Sequence, residues 1–286
     1  MNKILIFGVG LIGGSIALKI KQMNLFDEIV GISRANGTDL LPFVKSGMLD
    51  RATENFDTEI ESSNLIILAT PVAQTEIILH KIYPLLPKDT LITDVGSTKT
   101  NVDFAAKRFL KEKYHQFIGS HPIAGSEKHG PGAAKEDLFK NKNIIITPHS
   151  QSKSKDLKKI QSFWKNLGGV TSIMDVKLHD EIFSTVSHLP HLLAFGLVNL
   201  INDKKNKEIL LEFAASGFRD FSRIAASSAE MWRDICLANK ESIIADLHLY
   251  KNEMESIIAM IDQGSEEKLL SYFLKASQTR KKWNKD

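Results

Sequence analysis

Residues 3–15, KILIFGVGLIGGS, decide the fold. KILIF is an apolar run of strand length, and residues 15–23 continue from it with apolar positions at helical spacing. Between the two, Gly8, Gly10 and Gly13 form a G-x-G-x-x-G turn. Gly8 permits a tight turn, Gly10 lets the backbone approach a pyrophosphate, and Gly13 allows the helix to pack closely on the strand. The helix start at Leu11 and Ile12 offers unpaired amides to phosphate oxygens. A strand, this turn and a helix in succession read as a dinucleotide-binding unit, the alternative being a tight turn with a structural role only.

Outward from this turn, strand-length apolar runs recur at residues 28–32, 64–69, 90–94, 116–119 and 143–147. Amphipathic stretches at 72–86, 101–112 and 155–167 separate them, and GGVTSIMD at 168–175 offers one short closing strand. Wholly apolar strands alternating with helices predict a doubly wound, mostly parallel α/β sheet covered on both faces. Beyond residue 175 the strand signals fade. Residues 176–202, 207–215, 228–263 and 265–283 carry helical spacing, so the expected domains are 1–175, binding the nucleotide, and 176–286, all helical. A helical half this small needs a partner surface to bury its apolar faces, which predicts a homodimer.

Composition agrees with a globular protein. The chain has 286 residues, 43% hydrophobic and 25% charged, with a net charge of +3 from 37 basic and 34 acidic side chains. The basic excess sits in KSKDLKK at 153–159 and RKKWNKD at 280–286, which read as solvated faces and not as a nucleic-acid surface. Cys236 is the only cysteine, so no internal disulfide and no cysteine-held metal is expected, in keeping with a reducing cytoplasm. No run is read as a membrane span, and the glycine-rich start is read as a strand and turn instead of a signal peptide.

Dinucleotide sites usually carry an acidic residue at the end of the second strand, on the adenosine ribose. Here that strand ends EIVGISRANG, with Ser33 and Arg34 at the position. An arginine can pair with a 2'-phosphate, which leans the reading to NADP over NAD, although Arg34 could equally stack on adenine or lie in solvent. Thr70 and Pro71 follow the fourth strand in ATPV and border the expected cofactor. In DVGSTKT, 94–100, Ser97 and Lys99 could reach nicotinamide or substrate, while Ser97 could instead cap the next helix.

Three further stretches hold candidate chemistry. FIGSHPIAGSEKH, 117–129, places His121 after a strand, stiffened by Pro122; it is a candidate base, or else an idle loop histidine or a buried one satisfied by the backbone. STVSHLPHLLAF, 184–195, sets His188 and His191 on one helix face with Pro190 between them. No H-E-x-x-H pattern accompanies that pair, so no metal is expected. ASGFRDFSRIAASSAEMWRDI, 215–235, holds Arg219, Arg223 and Arg233. These arginines either pair with Asp220 and Asp234 or include one that clamps a substrate carboxylate.

In order along the chain, GVGLIGGS, DVGSTKT, GSHPIAGSEKHG, SHLPH and GFRDFSRIAASSAEMWRDI resemble the prephenate and arogenate dehydrogenases of tyrosine biosynthesis, the TyrA family. The resemblance spans nearly the whole chain. It implies a Rossmann-type nucleotide-binding domain, a helical dimerisation domain and an active site between them. It also implies oxidative decarboxylation: hydride leaves the carbinol carbon of prephenate for NAD(P), a base takes the hydroxyl proton, and loss of carbon dioxide yields 4-hydroxyphenylpyruvate. On that resemblance His121 is the neutral proton acceptor and Ser97 orients it and the hydroxyl. Arg219, His188, His191, Trp232 and Glu127 then contact substrate, with Glu127 favouring prephenate over arogenate. With no mutase or regulatory motif recognised, a monofunctional enzyme is expected. Arogenate remains the close alternative substrate. More distant readings are a two-domain β-hydroxyacid dehydrogenase, for which no comparable lysine motif stands out in the helical half, and a dinucleotide sensor without turnover.

Overall fold

The structure, a computed structural model, describes residues 2–33, 38–125 and 130–283. Eight strands occur among them: β1 Lys3–Phe7, β2 Glu28–Ile32, β3 Arg51–Thr53, β4 Leu65–Leu68, β5 Leu91–Asp94, β6 Gly119–Pro122, β7 Asn143–Thr147 and β8 Val170–Ile173. Helices α1 Leu11–Met23, α2 Leu41–Lys45, α3 Asp57–Glu61, α4 Thr75–Ile82, α5 Thr100–Leu110 and α6 Ser154–Asn166 lie between strands. After β8 the chain is helical: α7 Val176–Phe183, α8 Leu189–Asn202, α9 Lys207–Glu212, α10 Ser216–Ser222, α11 Ala229–Ala238, α12 Lys240–Asp262 and α13 Glu266–Lys282. By internal contact the chain divides into two compact units, Met1–Lys240 and Glu241–Asp286.

Five strands form a parallel sheet in the order β3-β2-β1-β4-β5. Side chains alternate across it. Ile4 and Ile6 enter one buried cluster with Ile16 and Trp164, while Leu5 and Phe7 enter another with Leu79 and Val102. Each such side chain fully buried contributes about 1.5–3 kcal/mol, which is why the uninterrupted apolar run of β1 is needed at the sheet's centre.

The remaining strands form a second sheet, β6-β7-β8, with β6 antiparallel to β7 and β8 parallel to it. An isolated parallel bridge from Ile92 to Phe117 links the two sheets. This corrects the expected strand at 116–119. Phe117 and Ile118 make the apolar signal, but pairing with β7 runs from Gly119 to Pro122. His121 therefore lies within a strand and not after one. Pro122 is tolerated because β6 is an edge strand. β3 is not expected from the sequence, since RAT is three residues with no apolar run.

The helical stretch expected at 228–263 is broken at Asn239, which sits between α11 and α12 with its side chain buried. Another departure is a π-helical turn, Ser184–His188, one residue before Pro190. A proline has no N–H to donate, and the wider turn accommodates that loss without ending the helix. The 27-residue helical run Val176–Asn202 is also, by length and composition alone, apolar enough to cross a membrane, contrary to expectation. In α8 only Ala194 is buried, and Leu200, Ile209 and Phe213 on α8 and the following α9 and its end are exposed. Within the smaller unit, Tyr272 Oη bonds Glu253 at 3.0 Å, and Leu249, Ile258, Leu270 and Phe273 are exposed.

The glycine turn shows which constraint each glycine answers. Gly8 has φ +88°, and a Cβ there would lie 2.6 Å from the Ala69 carbonyl oxygen. A Cβ on Gly10 would meet nothing within 4 Å, so the protein's own packing does not require that glycine. Gly8→Ala is expected to destabilise the fold by about 1–3 kcal/mol. Gly10→Ala should leave the melting temperature unchanged while weakening dinucleotide binding at least roughly tenfold, as a group placed in open ligand space would. Thermal denaturation and cofactor titration of both variants check this; equal loss of stability in both contradicts it.

Candidate active site

Beside the glycine turn lies a cavity of about 440 Å³. Gly10, Leu11 and Ile12 form one wall, Thr70 and Pro71 after β4 and Ser97 after β5 another, and His121 of β6 a third. Met231 and Ile235 of α11 cover it. A second cavity of about 840 Å³ shares Gly10, Thr70 and Pro71 with the first and extends past Gly8 to Ser33, Asp39 and Lys81. The Thr70 hydroxyl is buried and has no partner among the described residues. α1 has no side-chain cap at Gly10 and no acid in its first turn. Open space over Gly10, free helix amides and an unpartnered hydroxyl fit the diphosphate of a dinucleotide spanning both cavities.

His121 lines the first cavity, partly buried, and its Nδ1 lies 2.8 Å from His179 Nε2. His179 Nδ1 in turn lies 2.8 Å from Asp180 Oδ1. Both residues belong to α7, and Phe183 one turn on packs against the two rings, at 4.8 Å from His121 and 4.5 Å from His179. Asp180 has a second task. Its carboxylate accepts from the amides of Lys99 at 2.8 Å and Thr100 at 2.9 Å, capping α5 from outside. Ser97 does not cap that helix and is left on the cavity wall.

Lys99 is corrected by the structure. It is buried, its ammonium paired with Asp94 and donating to the Ser120 carbonyl at 2.8 Å, and it does not line the cavity. Asp94 also accepts from the Ser120 amide at 3.1 Å. This pair ties β6 to the end of β5, beyond the isolated Ile92–Phe117 bridge, and so places the strand that carries His121.

Other expected residues are placed differently from the cavity wall. His188 is buried behind it, with Nδ1 3.3 Å from the Asn239 amide, which also donates to the Asp180 carbonyl at 2.8 Å. His191 stacks on Trp232, ring centroids 4.1 Å apart, and donates from Nδ1 to the Ser187 carbonyl at 2.8 Å. His188, His191 and Trp232 thus form one cluster, but none of them lines the cavity. Arg219 is exposed on α10 and lines a separate groove with Phe218 and Arg223. Ser33 bonds Asp39 at the second cavity. Arg34 and Glu127 lie outside the described residues. His179, Asp180 and Asn239 were missed in the sequence. The one available signal was the adjacent histidine and aspartate of VKLHDEIF, which has no motif around it.

Burial holds the site's histidines neutral. It pushes His121 well below the ordinary imidazole range, aided by His179 and Lys99 nearby. Burial also lowers His179, more than its bond to Asp180 raises it, and lowers His191. His188 falls to about 4 for the same reason. For Asp180, burial alone would raise the carboxyl, but hydrogen bonds from His179 and Thr100 outweigh it and keep it ionised. The unfolded chain takes up these histidine protons first, so the stability is full above pH 6.5 and is lost as pH falls towards about 4. The loss should reach a few kcal/mol, since each tenfold difference in proton affinity between the two states is worth about 1.4 kcal/mol, and it should appear as a falling melting temperature across that window. A flat profile there contradicts buried neutral histidines.

Residues 16–173 match the family model described as prephenate dehydrogenase, nucleotide-binding domain, and residues 175–275 the prephenate dehydrogenase dimerization domain. The prephenate dehydrogenase of Bacillus subtilis (strain 168) is 38% identical over 281 residues, covering 98% of this chain and 75% of that one. The cyclohexadienyl dehydrogenase of Zymomonas mobilis is 29% identical, over 97% and 94% of the two chains. Among solved structures, Aquifex aeolicus prephenate dehydrogenase in complex with hydroxyphenyl propionate and NAD+ superposes with a TM-score of 0.91 at 33% identity, covering 99% and 98% of the chains. Synechocystis arogenate dehydrogenase gives a TM-score of 0.82 at 27% identity, over 99% and 100%.

Proposed function

The chain belongs to the prephenate dehydrogenase family, and from that premise we propose that it converts prephenate to 4-hydroxyphenylpyruvate by oxidative decarboxylation, in tyrosine biosynthesis. The observation that carries this reading is that His121, whose burial disfavours its charged form, faces the same cavity as the glycine turn and Ser97. Gly8, Gly10, Leu11, Ile12, Gly13, Thr70 and Pro71 would hold a nicotinamide dinucleotide, which supplies the hydride acceptor when bound. His121 takes the proton of the ring hydroxyl, and Ser97, which lines the same cavity, orients that hydroxyl. The ketone so formed is linked through the ring double bonds to the saturated carbon bearing the carboxylate; as carbon dioxide leaves, the C–C electron pair passes through the ring to the ketone oxygen, which takes up a proton to give the aromatic phenol. Burial of His121 matters because a protonated imidazole cannot accept that proton.

Of the two dinucleotides, NAD is the one proposed. The lean to NADP rests on Arg34, whereas Asp39, bonded by Ser33, lines the second cavity, and its carboxylate repels a 2'-phosphate. The solved Aquifex relative is in complex with NAD+. The match to a dimerization domain and the exposed apolar side chains of α8 and α9 support a homodimer, and the single cysteine supports a cytoplasmic setting.

Absorbance of the reduced cofactor, followed with prephenate and with arogenate, each with NAD and NADP, should rise fastest with prephenate and NAD. His121→Asn is expected to cost about 100–10,000-fold in kcat with prephenate KM within a fewfold of normal. Near-normal turnover of that variant rejects the role. Arg219 is proposed to hold a substrate carboxylate, as the family resemblance implies, although α10 places it in a separate groove. Arg219→Ala should then raise prephenate KM roughly 10–100-fold, the value of a charge-assisted hydrogen bond, and an unchanged KM removes it from the site.

A further inference from the structure

Behind His121 the hydrogen bonds run in one sense only. A carboxylate can only accept, so the 2.8 Å contact with Asp180 fixes a proton on His179 Nδ1. Neutral His179 then carries its lone pair on Nε2, and the 2.8 Å contact with His121 requires His121 Nδ1 to be the donor. The lone pair of a neutral His121 is therefore on Nε2, the ring nitrogen with no protein partner among the described residues. We propose that His179, held by Asp180, is a positioning residue that sets the tautomer of His121 and stabilises the imidazolium formed when that ring accepts the substrate's proton. The proposal rests on the reading of His121 as the base.

A purely structural role does not account for the arrangement. Asp180 already has the Lys99 and Thr100 amides as donors, so the helix cap needs no imidazole between it and His121. Phe183 shows that this space also packs an aromatic hydrocarbon, against both rings. A buried polar ring is retained at a cost unless its hydrogen bonds do something an apolar ring cannot.

The step balances without a second proton transfer. The hydroxyl proton moves to His121 Nε2, and the O–H electron pair stays on oxygen and becomes the second bond of the new ketone as hydride leaves the carbon for the nicotinamide. His121 is then a cation whose Nδ1–H points at His179 Nε2, a charge-assisted hydrogen bond. The Asp180 carboxylate lies on the far side of that one ring. Lys99, buried close by, opposes the cation, as does His188 when charged, and Asp94 is already paired with Lys99. The acceptor at Nδ1 therefore has more to offset than it would in water.

Nitrogen-15 NMR of histidine-labelled full-length protein reads the tautomer directly, without substrate. His121 should show a protonated Nδ1 and an unprotonated Nε2, and the reverse pattern overturns the proposal. In kinetics, His179→Phe should lower kcat about 100–1,000-fold while prephenate KM and cofactor affinity stay within about threefold. His179→Gln, whose side-chain oxygen can still accept from His121 Nδ1, should regain at least about tenfold of that loss and keep the Nδ1–H tautomer. Turnover of His179→Phe within about threefold of normal overturns the proposal even if His121→Asn is inactive. Should His179→Phe not fold, the wild-type tautomer still decides. A wild-type protein that reduces no cofactor with prephenate, whatever its tautomer, rejects the assigned reaction and not the hydrogen-bond order.

Discussion

The carboxylate of Asp180 is the point on which the site depends. It receives the first amides of α5, and with them fixes the end of the β5 loop that carries Ser97. It receives His179, and through that ring reaches His121 on β6. Its own backbone carbonyl receives Asn239, the residue at which α11 gives way to α12. One buried anion thus joins a loop of the parallel sheet, the edge strand of the smaller sheet and two helices. A charge so placed is costly unless every oxygen is satisfied, and here each one is.

The same logic holds one layer deeper in Lys99 and Asp94. Among the described residues one isolated backbone bridge joins the two sheets, and the position of β6 rests largely on a buried ion pair that also grips the Ser120 amide and carbonyl. Trp164 adds a bond from its indole to the Ser120 hydroxyl at 3.0 Å. Ser120 is held from several sides and His121 follows it in the chain. The base is precise in position because its neighbour has nowhere else to go.

Much of this was legible in the sequence. KILIF and the glycines state a strand and a phosphate turn locally, and the helical stretches after residue 175 carry their own period, except that the short α10, Ser216–Ser222, lies outside every stretch so expected. Ser97 and His121 were visible because they sit in loops and strand ends next to that turn, and they do share a cavity. What stayed hidden was set by contact across the chain. Lys99 looked like a ligand residue, since nothing local says that Asp94 and Ser120 enclose it. His179 and Asp180 lie 58 and 59 positions after His121 in a stretch with no motif, and only the folding of α7 against β6 reveals them. The start of β6 shifted because an apolar run marks burial, whereas pairing with β7 marks the strand.

The central claim is that His121 works as a base because burial keeps it neutral. The pH dependence of kcat/KM for wild-type protein, with prephenate and NAD, tests it most directly. The account predicts full activity at neutral pH and an acid limb governed by an ionisation below 6.5, the ordinary histidine value. An acid limb centred at or above 6.5 would contradict it.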